Sequence, residues 1–450
     1  MIDFPKYSSA RCSPARCSTA LFAILLMLLS QPLPLLATNG MYLPSYGAEA
    51  AGRGGANLAI SDRVLGMSFN PAGISQLQGQ HFTVNVALLA PSLETENMIN
   101  ASLDAEDRYF PMPAFAYVRG GQDTPWTWGV GFLAQGGMGA TFEDLNTFFG
   151  TRDETFTEVR FMTLSPTLAY SINDDMAVGG TLNIGYADAS FRFFPNTSFF
   201  NVENPAQSFF GVNMKEASGL QTNLRLGWWW RPRPRLSVGA VYQTETESNY
   251  EDGDMWVDFR GHPFLGQKVK YTADMDGFTF AGQAGVGIAF RATEKWILAM
   301  DVKRYFWDNA IDTITVKATD PDMAGAPPEV ALPFVFDWQD QWIFAVGADY
   351  RWNDRLTLRA GYNYGENPVP DETLTPLFPA TVEHHLTLGF SWLKDSTTYE
   401  LAIEYVPSNE RSNMNVNPQV NPFGPGLTVG HEQVTISFGV SRAWSRKGWS

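Results

Sequence analysis

Histidine most readily supports acid–base catalysis or metal binding, and this chain has five histidines. They are His81, His262, His384, His385 and His431. His384 and His385 follow Glu383, but adjacent strand residues point to opposite faces, so the pair cannot easily share one metal ion. A hydrolase would need a Ser-His-Asn or Asp-His set on one face, and no such set converges. We predict no enzyme, no metal site and no cofactor.

Three basic residues could meet a ligand carboxylate through charge-assisted hydrogen bonds. Arg225, Lys303 and Arg359 occupy polar positions of predicted strands. The alternative, which we favour for each residue, is internal ion pairing with acids. The candidate acidic partners are Glu49, Asp62, Asp301 and Asp349.

Seven phenylalanines are concentrated in residues 191–217, which we predict to be an exposed loop. They are Phe191, Phe193, Phe194, Phe199, Phe200, Phe209 and Phe210. Because large apolar surfaces rarely face water, this segment is a candidate hydrophobic capture loop. The next long loop, with Trp256, Phe259 and Phe264, is the candidate opposite wall. The alternative for both is packing of one loop on another.

Glycines mark the end of one predicted strand, in "GFLAQGGMGATF" (residues 131–142). Glycine within a strand often marks a kink or bulge. Gly136, Gly137 and Gly139 are therefore a candidate kink that opens a gap in the wall for sideways exit of a ligand. An ordinary strand end that enters a loop is the alternative.

Alternating strands must position all of these residues. From about residue 80 onward, runs of about ten to fifteen residues alternate apolar and polar side chains, as in Leu386, Leu388 and Phe390 against Thr387 and Gly389. Fourteen runs are predicted, near residues 80–89, 112–119, 126–136, 159–171, 176–190, 218–230, 235–248, 279–291, 296–306, 340–352, 355–365, 383–393, 398–407 and 431–444. The connections between them alternate between long and short.

This alternation predicts an outer-membrane barrel with periplasmic turns and extracellular loops. In hydrocarbon every backbone polar group must be paired internally, so strands cross a membrane only in a closed sheet. A soluble β-sandwich or propeller would need a charged outer face, whereas one face of nearly every run is apolar and only 17% of residues are charged. The predicted fold class is all-β, a transmembrane 14-stranded antiparallel β-barrel over residues 80–444 with a C-terminal tail at 445–450.

The N-terminus is predicted to be a cleaved signal peptide, residues 1–37. Basic residues precede the apolar "ALFAILLMLLSQPLPLLA", and the alternative is a single anchoring helix. Both cysteines, Cys12 and Cys17, lie in this segment, so the mature chain would have neither a disulfide nor a thiolate nucleophile. The net charge of −16 argues against a nucleic acid partner.

Residues 38–79 do not follow the strand pattern. They are rich in Gly, Ala and Ser and are too few to fold alone. A barrel of this size would leak solutes unless something filled it. We predict that the segment is a plug, or hatch, inside the barrel, with a turn at Asn70, Pro71 and Ala72.

Two segments resemble the FadL-type family of outer-membrane transporters for long-chain fatty acids and other hydrophobic compounds. "GRGGANLAISDRVLGMSFNPAGISQLQG" (residues 52–79) resembles the family's hatch, and "RLTLRAGYNYGENPVPDETLTPLFPATVEHHLTLGFSW" (residues 355–392) resembles one of its strand–loop–strand units. The resemblance implies a monomeric barrel with the hatch in the lumen, and it carries over only the Asn70, Pro71 and Ala72 positions. It also implies ligand entry from an outer groove, passage to a lumenal pocket and lateral exit.

We therefore predict a passive channel for hydrophobic molecules in the outer membrane of a Gram-negative bacterium. Long-chain fatty acids are the first expectation for the cargo, and aromatic hydrocarbons or alkanes are the alternative. A third hypothesis, from a different functional class, is a barrel with a structural or adhesive role and no transport function. The expected partners are the ligand, outer-membrane lipid and lipopolysaccharide.

Overall fold

The computed structural model describes residues 39–106, 109–121 and 124–444. The predicted signal peptide and the predicted tail at 445–450 lie outside these residues. Within them, no helix is both long and apolar enough to cross a membrane, which carries no information about a β-barrel.

The described chain is mostly strand. The strands are β1 (Gly79–Asn97), β2 (Asn100–Asp104), β3 (Phe110–Gly120), β4 (Trp126–Asn146), β5 (Arg152–Asn173), β6 (Met176–Phe199), β7 (Phe209–Arg233), β8 (Leu236–Gln243), β9 (Glu247–Ser248), β10 (Tyr250–Asp258), β11 (Lys268–Phe278), β12 (Gly282–Arg291), β13 (Trp296–Phe306), β14 (Ile311–Thr319), β15 (Glu329–Val335), β16 (Gln341–Arg351), β17 (Leu356–Gly365), β18 (His384–Lys394), β19 (Thr397–Asn413) and β20 (Leu427–Trp444). The helices are α1 (Ala48–Gly52) and the 3₁₀ turns η1 (Val64–Ser68), η2 (Pro71–Gln76), η3 (Pro205–Gln207) and η4 (Asp371–Thr373).

Fourteen of these strands form one closed antiparallel ring. Its order is β1, β3, β4, β5, β6, β7, β8, β12, β13, β16, β17, β18, β19 and β20. The first and last strands pair from Gln80↔Trp444 to Glu96↔Thr428, which closes the ring. Closure removes the sheet edges that hydrocarbon would leave unpaired. The predicted barrel of fourteen strands is confirmed.

The outer face of the ring is apolar and the inner face is small or polar. On β18, Leu386 and Leu388 are 51% and 67% exposed, whereas His385 and Thr387, which alternate with them, are buried. Exposed aliphatic residues in alternation with buried polar ones are the reverse of a soluble sheet, and they fit a barrel whose outside contacts lipid. The six other strands extend the sheet beyond the ring at the end that carries the long loops.

The strands at the long-loop end are longer than the sequence predicts. β6 runs to Phe199 and β7 begins at Phe209, so the predicted loop at 191–217 is reduced to residues 200–208. The two strands continue to pair from Phe191↔Met214 to Phe199↔Phe209. This corrects the loop prediction, because pairing between neighbours satisfies the backbone above the membrane as well as within it. The glycine-rich segment likewise lies inside β4 and not at its end.

Residues 39–78 lie inside the ring as a compact plug, as predicted. α1, η1 and η2 carry its regular structure, and most of its residues are buried. η2 packs against β5, β6 and β7, and α1 packs against β17, β18, β19 and β20. The plug therefore contacts both halves of the wall.

Candidate functional site

The Asn70-Pro71-Ala72 turn is seated against the barrel wall. Asn70 caps η2, because its Oδ1 accepts from the backbone N–H of Ala72 at 3.2 Å. Its Nδ2 donates to the carbonyl oxygens of Leu58 (2.9 Å) in the plug and Trp228 (2.8 Å) in β7. One fully buried side chain thus joins two parts of the plug to the wall. The triplet belongs to the plug and not to a strand.

Wall glycines make room for this turn. A methyl group on Gly179 or Gly227 would overlap Pro71, and one on Gly239 would overlap the Leu58 carbonyl. These glycines belong to the neighbouring strands β6, β7 and β8. The plug approaches the wall so closely here that its backbone lies where side chains would otherwise stand.

A buried ion cluster anchors the plug to the opposite part of the wall. Arg53 is 1% exposed, and its guanidinium donates to Asp349 of β16 at 2.7 Å and to Glu49 at 2.5 Å. Arg359 of β17 contacts the same two carboxylates. Burial by itself would raise the pKa of Glu49, but the charges of Arg63, Arg359 and Arg53 together hold that pKa below its ordinary value. The carboxylate is therefore ionised and paired.

The three predicted carboxylate partners all contact the plug. Lys303 donates to the Gly55 carbonyl at 2.9 Å and lies 3.7 Å from Asp301. Arg225 donates to the Ser68 carbonyl and to Gln243. Arg359 joins the ion cluster described above. The internal pairing that we favoured is present for Lys303 and Arg359, whereas Arg225 is held by carbonyl and amide oxygens.

An apolar cavity of about 30 Å³ lies above the plug, toward the long loops. Among the residues that the structure describes, its lining contains no ionisable side chain. The lining residues are Thr157, Val159, Ala189, Ser190, Phe191, Met214, Met275, Ile314, Val316, Phe334, Phe336, Leu377 and Phe378. The apolar composition of the lining is typical of a pocket for a hydrophobic molecule.

The predicted capture residues divide between this cavity and two aromatic clusters. Phe191 lines the cavity, and Phe193 and Phe194 pack on Phe423 with ring centres 5.7 and 5.9 Å apart. Phe199 and Phe209 pack on Phe149.

The two predicted loops meet at their tips. Phe210 packs on Phe259 at 4.7 Å, and Phe200 and Phe264 both contact His262. Trp256 instead faces Lys215 and Lys270, which lie 5.3 and 5.4 Å from its ring. The structure therefore brings together most, but not all, of the residues assigned to the two walls.

The barrel wall is interrupted beside the predicted glycine kink. The register of β4 on β5 shifts between Ala134 and Gly136. The pairing of β3 with β4 ends at Ala114↔Leu133, so that within the described residues Phe110–Pro113 pair with β1 alone. Two of those four residues are prolines, which leave no backbone N–H unpaired.

The start of the plug fills this interruption. Tyr42 forms a β-bridge with Gly136, and the Met41 carbonyl accepts from Gly137 at 3.3 Å. A methyl group on Gly136 would overlap that carbonyl. Gly136 and Gly137 therefore lie where plug and wall meet, while Gly139 continues the pairing with β5.

The two adjacent histidines point to opposite faces, as the strand geometry predicts. His384 is on the outside and contacts the Tyr362 hydroxyl at 2.8 Å, whereas His385 is buried in the lumen beside Glu404 at 3.4 Å. Sequence reasoning missed Arg53, whose partner Asp349 is remote in sequence, and missed the lumenal loop that holds Leu377 and Phe378. The glycines that surround Arg53 in "GRGGA" were the one local signal of close packing there.

The family model described as outer membrane protein transport protein (OMPP1/FadL/TodX) matches residues 35–444. A search of curated proteins found no match.

Solved structures share the fold. The toluene transporter TbuX of Ralstonia pickettii has 18% identity and a TM-score of 0.71, covering 89% of this chain and 99% of its own. The toluene transporter TodX of Pseudomonas putida has 16% identity and a TM-score of 0.70, covering 90% and 99%. A FadL homologue of Pseudomonas aeruginosa has 14% identity and a TM-score of 0.71, covering 90% and 100%. At these identities the likeness shows the fold. Because the family model covers most of the chain, this barrel belongs to the OMPP1/FadL/TodX family of outer membrane transport proteins.

Proposed function

We propose that this channel takes up small uncharged hydrophobic molecules, with aromatic hydrocarbons favoured over long-chain fatty acids. The observation that carries the proposal is the apolar cavity, which has no ionisable side chain in its lining. A carboxylate buried there would lack a partner, and burying an unpaired charge is costly. Lys303, Arg225 and Arg359, which could have paired with such a carboxylate, are bound to the plug instead. Two similar structures are described as toluene transporters.

The proposed route begins at the aromatic clusters of the long-loop end and passes through the cavity to the plug. Exit is sideways, at the interruption between β3 and β4, where Tyr42 and Met41 occupy the gap. Displacement of this short plug segment would open a path from lumen to bilayer without opening an aqueous pore. The glycine kink predicted from the sequence supports this exit.

Uptake of labelled toluene and labelled oleate by cells with and without the protein tests the cargo. We expect a several-fold gain for toluene and a smaller gain for oleate. Ala189→Phe, which fills the cavity, should remove most of the toluene gain, whereas Leu224→Phe on the lipid face should leave it intact. A gain for oleate alone would contradict the proposal, and no gain for either compound would favour a structural or adhesive barrel.

A further inference from the structure

A second cavity, of about 110 Å³, opens at the short-turn end, where an outer-membrane barrel has its periplasmic turns. Ile60 and Ile297 supply apolar surface in its lining beside the buried Trp229, and Arg231, Arg235 and Arg291 supply positive charge. The plug forms one side, because the Ala59 carbonyl accepts from Trp229 Nε1 at 3.2 Å and from Ser237 Oγ at 3.0 Å. The cavity thus combines a hydrophobic surface with guanidinium groups.

Two of these arginines, Arg235 and Arg291, lie side by side, and no counterion pairs with either among the residues that the structure describes. Leu236 of β8 pairs with Phe290 of β12, and the backbone N–H of Arg291 donates to the Arg235 carbonyl at 2.8 Å. Arg235 and Arg291 are therefore the next pair of facing residues on these two strands. Like charges directly opposite each other on a sheet are unfavourable.

Neither side chain has an ion pair or hydrogen bond to any part of the chain that the structure describes. Arg231, in contrast, pairs with Asp175 at 2.8 Å. Asp62 is the one acid in the lining, and no ion pair joins it to either free arginine among the described residues.

The surroundings add positive charge in a chain whose net charge is −16. The next turn along the rim places Lys295 beside Arg351, whose N–H donates to the Lys295 carbonyl at 2.8 Å. Arg233 lies in the same turn as Arg235. Basic residues outnumber the acidic Glu294 and Asp354 in these turns, so this end of an acidic protein attracts anions.

We propose that this cavity is a binding site for an amphiphilic anion, a carboxylate or phosphate group that carries a hydrocarbon tail. Arg235 and Arg291 hold the anionic group, since guanidinium matches the geometry of both carboxylate and phosphate. The tail lies on Ile60 and Ile297. A free fatty acid and an anionic phospholipid of the periplasmic leaflet share this chemistry. The site is separate from the apolar cavity and does not depend on which cargo that cavity takes.

Native mass spectrometry of the purified full-length protein in an uncharged detergent tests the site. Oleate and dioleoyl phosphatidylglycerol are the anionic probes, and oleyl alcohol and dioleoyl phosphatidylcholine are their counterparts without net charge. We expect the anionic probes to bind more tightly. The double variant Arg235→Gln, Arg291→Gln should lower the affinity for the anionic probes about tenfold or more, as expected for loss of charge-assisted hydrogen bonds.

The matched control is Arg351→Gln, Arg355→Gln, which removes the same charge from the same end but outside the cavity. We expect it to weaken binding of the anionic probes far less than the first double variant does, because it removes only longer-range attraction that salt screens. Binding of oleate alone would identify a free carboxylate as the ligand, and binding of phosphatidylglycerol alone would identify a phospholipid. Equal binding of charged and uncharged probes, or equal losses in both double variants, would overturn the proposal.

Discussion

Two arginines of the plug contact the same carboxylate from different surroundings. Arg53 is buried and also bound to Asp349, whereas the side chain of Arg63 is 62% exposed and contacts only the second oxygen of Glu49, at 3.0 Å. Solvent weakens an exposed pair, while a buried charge that loses its partner cannot recover hydration. The two residues should therefore contribute very differently to the seating of the plug.

Arg53→Met should destabilise the seating of the plug by about 3 to 5 kcal/mol, because it leaves Asp349 and Glu49 short of a buried partner. Arg63→Met should cost about 0 to 1 kcal/mol. The rate of amide hydrogen exchange in residues 48–60 of the folded barrel measures the loss of plug stability in each variant. Equal protection in the two variants would show that the buried cluster does not anchor the plug.

At the scale of elements, glycines in the wall strands leave the space that the plug backbone occupies. Gly227 and Gly239 lie on adjacent strands where the plug turns at Asn70. Gly180, on the neighbouring strand β6, has its nearest non-neighbouring atom 3.7 Å from the position of a β-carbon. Glycine is thus required for close packing at Gly227 and Gly239, whereas a larger residue can replace it at Gly180.

Gly239→Ala should displace the Leu58 segment and loosen the plug, at a cost of about 1 to 3 kcal/mol for overpacking. Gly180→Ala should be neutral, because the added methyl group meets only ordinary contacts. Protease cleavage of the plug, with the barrel monitored by its heat-dependent mobility on gels, separates the two. An intact, protected plug in Gly239→Ala would contradict the expected clash.

At the scale of the whole molecule, the barrel and the plug are held by different forces. The ring closes through its own backbone hydrogen bonds, from β1 to β20. The plug is held mostly by side chains, among them Asn70, Arg53 and Lys303, and by one backbone bridge, Tyr42↔Gly136. Wall and plug can therefore separate without loss of the pairing within the ring, which the proposed exit route requires.

Deletion of residues 39–78 should leave a barrel that still folds and inserts, because none of its ladder bonds is lost. The emptied lumen should admit small sugars, as expected for a barrel of this size. Swelling of liposomes in arabinose measures the pore, with the complete protein as the closed control. Failure of the deleted chain to insert would show that the plug is needed for assembly.

The sequence by itself determined the barrel, because the period-two alternation and the long and short connections are local properties of the chain. It also located the plug, whose composition departs from that alternation, and it located the Asn70 turn and the β4 glycines. The continuation of β6 and β7 to Phe199 and Phe209 was not predicted. The aromatic-rich sequence beyond the membrane was interpreted as a loop, and only the pairing of the two strands in the structure shows that it is sheet.

Tertiary structure alone decided which residues meet. Arg53 and Asp349 are 296 positions apart, and Leu377 reaches the cavity from a loop between β17 and β18. The availability of a lumenal cation for a carboxylate was likewise a question of packing, because Lys303 and Arg359 are free or engaged only according to where the plug lies. Periodicity fixes which face of a strand a residue occupies, but the partner across the lumen is set by ring closure and by the path of the plug.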